Sequence, residues 1–304
     1  MSKRNPRDPN QGPHGFVIVD KEPGWTSHDV VAKARGILGT RKVGHSGTLD
    51  PGATGVLVLG AGRATKLLRF ITSLRKVYVA EVTLGVETDS LDADGDVTVT
   101  HDMGEITLAQ IRAAAAAFIG PIEQIPPMVS AVKVDGRRLH QLAREGKTVD
   151  RKPRPVTIHR LEVSEIEGES TSSVFRMEVE CSSGTYIRTL GADIGTALGG
   201  GAHLRALRRT GIGSLTEDRA QALNDDITVV PMLEALTDYP AITVDPEQHI
   251  LVTHGRAISE DLVDPNVHGA GPWLIVSEED ELLAIHERAD GKIKPAVVIV
   301  SSGS

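Results

Sequence analysis

The chain has few aromatic residues, a single cysteine and no long apolar run. Aromatics make up 3% of its 304 residues, so a tyrosine inside a polar motif carries more information than usual. The lone Cys181 excludes an intrachain disulfide and a zinc site built on several cysteines. No segment is long enough for a transmembrane helix, and residues 1–14 lack the apolar core of a signal peptide. We therefore expect a cytoplasmic protein with no membrane association and a disordered lead-in over residues 1–14.

Basic residues are scarce in one part of the chain and concentrated in another. The net charge is −8, and residues from 226 onward carry 4 Lys and Arg against 14 Asp and Glu. Residues 133–160, in contrast, hold nine basic residues and three acidic ones. Such a run is usually a solvated surface, so by itself it does not indicate nucleic-acid binding.

Strand-like and helix-like segments alternate along the first 225 residues. Strands are predicted over residues 16–20, 56–59, 77–84, 154–163 and 173–180, with a period-two alternation at 77–84 and a hairpin formed by the last two. Helical spacing predicts helices over residues 28–38 with Ser27 as the cap, over 107–118, and from Gly184–Thr185 to residue 198. This order predicts an α+β fold with a mixed, largely antiparallel central sheet flanked by helices.

A domain boundary is predicted near residues 225–240, where basic residues disappear. Short strand-like runs follow at residues 241–244, 273–276, 282–287 and 296–300. We expect a large domain over residues 15–230 and a small β-rich C-terminal domain over residues 240–304.

Two segments resemble ligand-binding loops without completing them. Ser90, Asp92 and Asp94 have the spacing of a calcium loop, but its twelfth position is His101 instead of glutamate. Residues 60–65 contain two glycines of a dinucleotide-binding motif and lack the third. The 11 histidines form no metal-binding pair. We therefore interpret both segments as turns or loops, and predict neither a metal site nor a cofactor.

Asp50 lies in a turn of small residues, GHSGTLDPGATG (44–55), directly before the apolar run Val56–Leu59. Glycines at 47, 52 and 55 would allow a ligand to approach an exposed carboxylate at the end of a strand. An Asx turn before Pro51 explains the same residues equally well. The turn alone therefore leaves both interpretations open.

This segment and five others resemble, in collinear order, the bacterial-type tRNA pseudouridine-55 synthases of the TruB type. The others are DKEPGWTSHDVVAKAR (20–35), KVYVAEVTLG (76–85), PPMVSAVKVDGRRLHQLAREG (126–146), CSSGTYIRTLGADIG (181–195) and HLRALRRTGIG (203–213). Together they cover most of residues 15–215, and six motifs in register are far more specific than any one.

The resemblance implies a reaction and a set of site residues. Uridine 55 of the tRNA T loop would be flipped out and isomerised to pseudouridine, with Asp50 essential, Arg188 paired to it and Tyr78 stacked on the base. Whether Asp50 attacks C1′ or acts through a glycal route stays open. The substrate-binding residues that the resemblance implies are His45, Tyr186, Leu207, Lys21, Lys133 and Arg208. Arg205 and Arg209 would extend the RNA-binding surface.

The resemblance also implies partners and a role for the basic run. A thumb insertion at about residues 124–153 would close over the T stem and loop of tRNA, and the C-terminal domain would be a small RNA-binding barrel of the PUA-like kind. We expect a monomer with no obligate protein partner. Two alternatives remain: a tRNA-binding or RNA-folding protein whose catalysis is incidental, and a pseudouridine synthase that acts on another RNA.

Overall fold

Strands dominate the computed structural model, which describes residues 12–128, 149–169, 173–264 and 268–299, and the backbone of residues 133–134 and 137–138. The strands are β1 (Gly15–Lys21), β2 (Val43–His45), β3 (Thr54–Ala61), β4 (Lys76–Leu84), β5 (Val86–Thr88), β6 (Val97–Thr100), β7 (Gly120–Gln124), β8 (Lys133–Val134), β9 (Arg137–Arg138), β10 (Arg154–Ser164), β11 (Val174–Cys181), β12 (Ala202–Ile212), β13 (Leu215–Thr216), β14 (Ala241–Thr243), β15 (Trp273–Val276), β16 (Leu282–Ala289) and β17 (Lys292–Val298). The helices are α1 (Ser27–Ile37), α2 (Leu68–Ser73), α3 (Leu108–Ala116), α4 (Ile187–Ala197) and α5 (Pro246–Thr253). Short 3₁₀ turns lie at Gly62–Leu67, Glu217–Arg219, Glu234–Leu236 and Glu260–Leu262.

A nine-stranded sheet forms the centre of the fold. Its order is β1-β3-β12-β4-β11-β10-β7, with β2 paired to β3 and β13 paired to β12. The β12–β3 pair is parallel and the other pairs are antiparallel. Along β4 every second residue is buried, which is the pattern of a strand with one face against a core. The predicted α+β fold with a mixed, largely antiparallel sheet is therefore confirmed.

The predicted start of α1 is wrong in its capping residue. Thr26, not Ser27, accepts the hydrogen bond from the backbone of Asp29, and the Asp29 side chain completes a capping box. Ser27 is the first helical residue and is buried, because its hydroxyl bonds to Leu49 in the neighbouring loop. The last predicted helix, α4, begins at Ile187 after Tyr186, so Gly184 and Thr185 precede it.

The C-terminal region is β-rich, as predicted, and packs on the large sheet. Strands β14-β15-β16-β17 form a second sheet in that order. Leu274 and Ile285 of this sheet belong to one apolar cluster with Phe16 and Val58 of the large sheet, while Trp273 lies in a separate cluster. No helix among the described residues is both long and apolar enough to span a bilayer.

Candidate active site

Buried groups from β1 and α1 fix the loop that carries Asp50. The hydroxyl of Ser27 accepts a hydrogen bond from the Leu49 N–H at 2.9 Å and donates to the Leu49 carbonyl at 3.1 Å. On the other side of Asp50, the ammonium of Lys21 donates to the Pro51 carbonyl at 3.1 Å. The backbone is thus held on both sides of the carboxylate, which limits how far that carboxylate can move.

Two of the loop glycines serve the protein's own packing. Gly55 has φ +97°, and a Cβ there would lie 2.2 Å from the carbonyl oxygen of Arg209 on the adjacent strand β12. A Cβ at Gly52 would lie 3.0 Å from a carboxylate oxygen of Asp94. The expectation that these glycines make room for a ligand is therefore wrong at Gly55, where the Arg209 backbone occupies the space, while Gly52 lines a small cavity together with Asp50 and Asp94.

Arg188 joins Asp50 to a second carboxylate. Its guanidinium lies 3.1 Å from Asp50 and 3.1 Å from Asp92, and donates to the Ser90 carbonyl at 2.9 Å. The Arg188 side chain is 7% exposed, against 39% for Asp50. Arg188 is the second residue of α4, and from there its guanidinium reaches the loop that carries Asp50. The structure therefore brings together the aspartate and arginine that the resemblance paired.

Asp92 is a site residue that the sequence did not identify. It lies in the segment interpreted as a polar turn, and its carboxylate accepts from Arg188 across 96 positions of sequence. Asp92 belongs to the incomplete calcium-loop spacing of Ser90, Asp92 and Asp94, but its partner in the structure is an arginine. Nothing in their spacing indicated an arginine partner from a distant helix.

Several charges act on the ionisation of Asp50. Burial raises its pKa, and the negative charges of Asp92 and Asp94 act in the same direction. The cations of Arg188 and Lys21 oppose them, and the net effect is a pKa above the ordinary aspartate value. Arg188 alone would lower the pKa of Asp50, but burial and the neighbouring acids outweigh it.

A cavity of about 300 Å³ opens beside Asp50. It lies between the loop of residues 46–50 and the loop of residues 183–188, with side chains of β4 and β12 also in its wall. Five of the catalytic and substrate-binding residues implied by the resemblance line it: Asp50, Tyr78, Tyr186, Arg188 and Leu207. Further lining residues include Ser46, Thr48, Thr72, Lys76 and Arg209. Both the proposed catalytic pair and the proposed stacking tyrosine therefore face one space.

Tyr78 and Arg209 lie side by side under this cavity. They are opposite each other in the β4–β12 register, and they are 9% and 1% exposed. Burial raises the pKa of the Tyr78 phenol, while the adjacent Arg209 guanidinium lowers it, and burial dominates. Arg209 also donates to the Val56 carbonyl at 2.7 Å. The sequence placed Arg209 on the RNA-binding surface, whereas the structure places it inside the protein.

Other named residues lie elsewhere or have different contacts. The Lys21 ammonium donates to the carbonyls of Glu22, Trp25 and Pro51 and is 1% exposed. Arg208 forms ion pairs with Asp20 at 3.0 Å and with Glu217 at 2.8 Å. All three N–H donors of Lys21 go to main-chain carbonyls, so Lys21 would have to give up a contact to bind RNA, whereas Arg208 uses three of its five N–H donors and its side chain is 36% exposed.

His45 stands at the end of β2 and does not line the cavity. Its ring packs edge-on against His28, with the ring centroids 5.5 Å apart, and its Nδ1 accepts from the Gly47 N–H. Burial lowers the pKa of His45. For Lys133 the structure describes only the backbone, within β8, so its side chain lies outside the described part. Arg205 is paired with Glu81 and Glu169.

Family models and curated relatives match the chain over most of its length. The model described as TruB family pseudouridylate synthase (N terminal domain) matches residues 35–187, and the model described as tRNA pseudouridylate synthase B C-terminal domain matches residues 188–231. Proteins named tRNA pseudouridine synthase B from Arthrobacter sp. (strain FB24) and Thermobifida fusca (strain YX) are each 43% identical to the chain. The alignments cover 95% of this chain and 97% and 99% of those proteins.

Chains from two solved multi-component complexes have a similar fold. A chain of the crystal structure of a Cbf5-Nop10-Gar1 complex has a TM-score of 0.70 and 30% identity, covering 98% of this chain and 92% of that one. A chain of the H/ACA RNP bound to a substrate RNA containing 2′-deoxyuridine has a TM-score of 0.68 and 26% identity, covering 99% and 92%. With these matches and the Asp50–Arg188 pair at one cavity, the chain belongs to the TruB family of pseudouridylate synthases.

Proposed function

We propose that this protein is a tRNA pseudouridine-55 synthase, which isomerises uridine 55 in the T loop of tRNA. The observation that carries the proposal is the 3.1 Å contact between Arg188 and Asp50 at a cavity that Tyr78 also lines. The relatives named tRNA pseudouridine synthase B support tRNA as the substrate class. None of these relatives supports the alternative of an RNA-folding protein with incidental catalysis.

The proposed chemistry needs an ionised carboxylate beside the ribose and a pocket for the base. A uridine stacked in the T loop is out of reach of Asp50, so the nucleotide must first leave the stack, at a cost of a few kcal/mol. Tyr78 would then stack on the flipped uracil and regain part of that cost, since base–aromatic stacking contributes about 1–3 kcal/mol. Tyr186 and Leu207 would complete the pocket.

In the proposed reaction the N1–C1′ bond breaks and its electron pair leaves with the uracil. Asp50 either forms a bond to C1′, which breaks when C5 bonds to C1′, or removes a proton from the sugar, which returns when C5 bonds to C1′; in both routes the base turns before the new bond forms. C5 then loses its proton and N1 gains one, so atoms and charge balance without a cofactor. In either route Asp50 acts as the anion, and Arg188 fixes its position.

The proposal also covers partners, location and domain roles. We propose that the protein binds the T stem-loop as a monomer in the cytoplasm, without an obligate protein partner. We propose residues 15–230 as the catalytic domain, with a basic thumb at about residues 124–153, and residues 240–304 as a PUA-like unit.

The function is tested by mapping the modified nucleotide. Purified protein is incubated with an unmodified tRNA transcript, and pseudouridine is located by pseudouridine-specific labelling and primer extension. A transcript with cytidine at position 55 serves as the control. We expect one new labelled site, at position 55, that is missing from the control. Labelling at another position, or only in another RNA, would contradict the proposal.

A further inference from the structure

Three cationic side chains near the cavity are buried without a carboxylate partner. Lys21, Lys76 and Arg209 are 1%, 5% and 1% exposed. Within the described ranges, no carboxylate oxygen lies within 4 Å of the charged nitrogens of these three side chains. They donate instead to main-chain carbonyl oxygens. Asp50 is the one acidic residue among those lining the cavity, and Arg188 is bound to it.

Buried positive charge without a counter-charge is costly, so its presence at a ligand cavity indicates an anionic ligand or intermediate. Burial and the neighbouring Arg209 lower the pKa of Lys76 to about 8. At neutral pH most Lys76 side chains still carry their charge, since the pKa lies above the pH. The charged form of Lys76 is therefore less stable in the ligand-free cavity than it would be in water.

Lys76 lines the cavity and, counting its partners among the described residues, has one N–H donor left for a ligand. A lysine has three N–H donors, and Lys76 directs two of them to the carbonyls of Thr72 and Leu74. Lys21 directs its ammonium to three carbonyls and does not line the cavity. Arg209 lines the cavity, but it is held between Val56, Gly47 and the Tyr78 phenol.

We propose that the Lys76 ammonium stabilises the uracil anion that forms when the glycosidic bond breaks, by donating its remaining N–H to a uracil carbonyl. This rests on the proposed function. Cleavage of N1–C1′ leaves the electron pair on the base, where it spreads over N1, O2 and O4, whichever route Asp50 takes. A fixed cation aimed at that developing charge lowers the barrier because it needs no reorganisation. Lys76 transfers no proton in this role.

The symmetry of uracil suits a fixed donor. As the ring turns to present C5 in place of N1, O2 and O4 exchange positions about the N3–C6 axis. One lysine can therefore bond to a carbonyl oxygen before and after the rotation. Lys76 and Tyr78 lie two positions apart on β4, where side chains share a face, so a base stacked on Tyr78 would present an edge towards Lys76.

The test compares Lys76→Met, Lys76→Arg and a matched control, Lys66→Met, in which the exposed Lys66 also bonds to a carbonyl but lies outside the cavity. Single-turnover conversion of a T-arm stem-loop RNA is measured with enzyme in excess, together with RNA affinity. We expect Lys76→Met to be at least about 100-fold slower with RNA affinity changed less than about threefold. The single-turnover rate of Lys76→Arg should stay within about tenfold of the wild-type rate. Lys66→Met should convert the RNA at the wild-type rate.

A pH profile separates charge from a merely structural role. In the wild type, kcat/KM should fall above about pH 8 as Lys76 loses its proton. Other titratable groups beside Lys76 do not account for this decline. Burial raises the pKa of Cys181 to about 11 and also raises that of Tyr78, and deprotonation of Asp50 would raise the rate instead of lowering it. Lys76→Arg should show no decline up to pH 9.

Two outcomes would overturn the role of Lys76 while leaving the proposed function intact. One is a folded Lys76→Met protein that converts the RNA within about threefold of the wild-type rate. The other is the same alkaline decline in Lys76→Arg as in wild type, a comparison that remains valid if Lys76→Met does not fold. Absence of pseudouridine with the wild-type protein would instead contradict the proposed function.

Discussion

The ionisation of Asp50 depends on side chains from three other parts of the chain. Lys21 comes from β1, Asp92 and Asp94 from the loop between β5 and β6, and Arg188 from α4. Burial and the two acids raise the pKa of Asp50 more than the two cations lower it. The ionised form of Asp50 is therefore less stable here than in water. Contacts within the protein itself, before any RNA binds, determine this difference.

The raised pKa of Asp50 predicts an acid limit to activity. A carboxylate whose folded-state pKa is raised keeps its proton at higher pH than a free aspartate, and the protonated form is inactive in either route. The single-turnover rate should therefore fall with decreasing pH, with an apparent pKa above the ordinary value of 3.8. Rates are measured with a fully bound RNA at constant ionic strength. A rate that stays constant down to pH 4 would contradict the shift.

Asp92 should affect the rate through Arg188. Asp92→Asn removes a charge-assisted hydrogen bond of the kind worth about 1.5–3 kcal/mol, so we expect conversion to slow by about 10–100-fold. It also removes a charge that raises the pKa of Asp50, so the acid limb should move to lower pH. Wild-type activity together with an unchanged acid limb would show that Asp92 does not act on the pair.

Sequence reasoning identified the members of the pair but not their surroundings. Asp50 and Arg188 stand in compact motifs that the family resemblance covers. Asp92 and the buried Arg209 depend on how distant segments pack, and their own neighbours in sequence indicate only a polar turn and a basic strand. Ser27 shows the same limit, because its hydroxyl bonds to Leu49 instead of capping the helix in which it lies.

At the level of elements, the end of β7 positions the start of α4. Gln124 is 1% exposed, and its side-chain amide accepts from the Tyr186 N–H at 2.9 Å and donates to the Tyr186 carbonyl at 3.1 Å. Tyr186 directly precedes the helix that carries Arg188. Gln124 also stands at the start of the proposed thumb, so one side chain links that segment to the candidate site.

Gln124→Ala should therefore lower activity without removing any group that faces the cavity. It deletes two hydrogen bonds, each worth about 0.5–1.5 kcal/mol, and we expect a rate about tenfold lower with RNA affinity little changed. The matched control is Gln248→Ala, which deletes a capping-box side chain in the distant helix α5. Both variants are compared in single-turnover assays and thermal unfolding. Equal rates in the two variants would refute the positioning role.

At the level of elements the sequence patterns predicted five of the nine strands of the large sheet and missed the others, among them the central β12. The alternation along β4 and the hairpin of β10 and β11 appear in the structure as predicted. The parallel pairing of β12 with β3 had no local signal, because Arg208 and Arg209 pair with Thr54 and Gly55 through a contact between distant segments. This pairing brings Leu207 and Arg209 to the cavity.

On the scale of the whole molecule, the acidic C-terminal region shares an apolar core with the large sheet. Leu274 and Ile285 are 1% and 0% exposed and cluster with Phe16 and Val58. The sequence predicted a separate small domain because charge and strand spacing change near residues 225–240. Those patterns do not reveal which apolar face covers which, so the shared core had to come from the structure.

Deleting residues 240–304 should consequently destabilise the catalytic part as well. The deletion uncovers an apolar sheet face, and exposed patches of this kind promote aggregation. We expect a truncated chain ending at residue 239 to unfold at a lower temperature than the full chain and to aggregate in size-exclusion chromatography. A monomeric truncated chain with wild-type thermal stability would show that the two parts fold independently.

The proposed role of Asp50 is tested most directly by its isosteric replacement. Asp50→Asn and the control Asp94→Asn, which alters a neighbouring carboxylate that is not bonded to Arg188, are compared with wild type in single-turnover conversion of uridine 55. We expect no pseudouridine with Asp50→Asn over many wild-type half-times and normal tRNA affinity, with much of the activity kept by Asp94→Asn. Conversion by Asp50→Asn within tenfold of the wild-type rate would contradict the account.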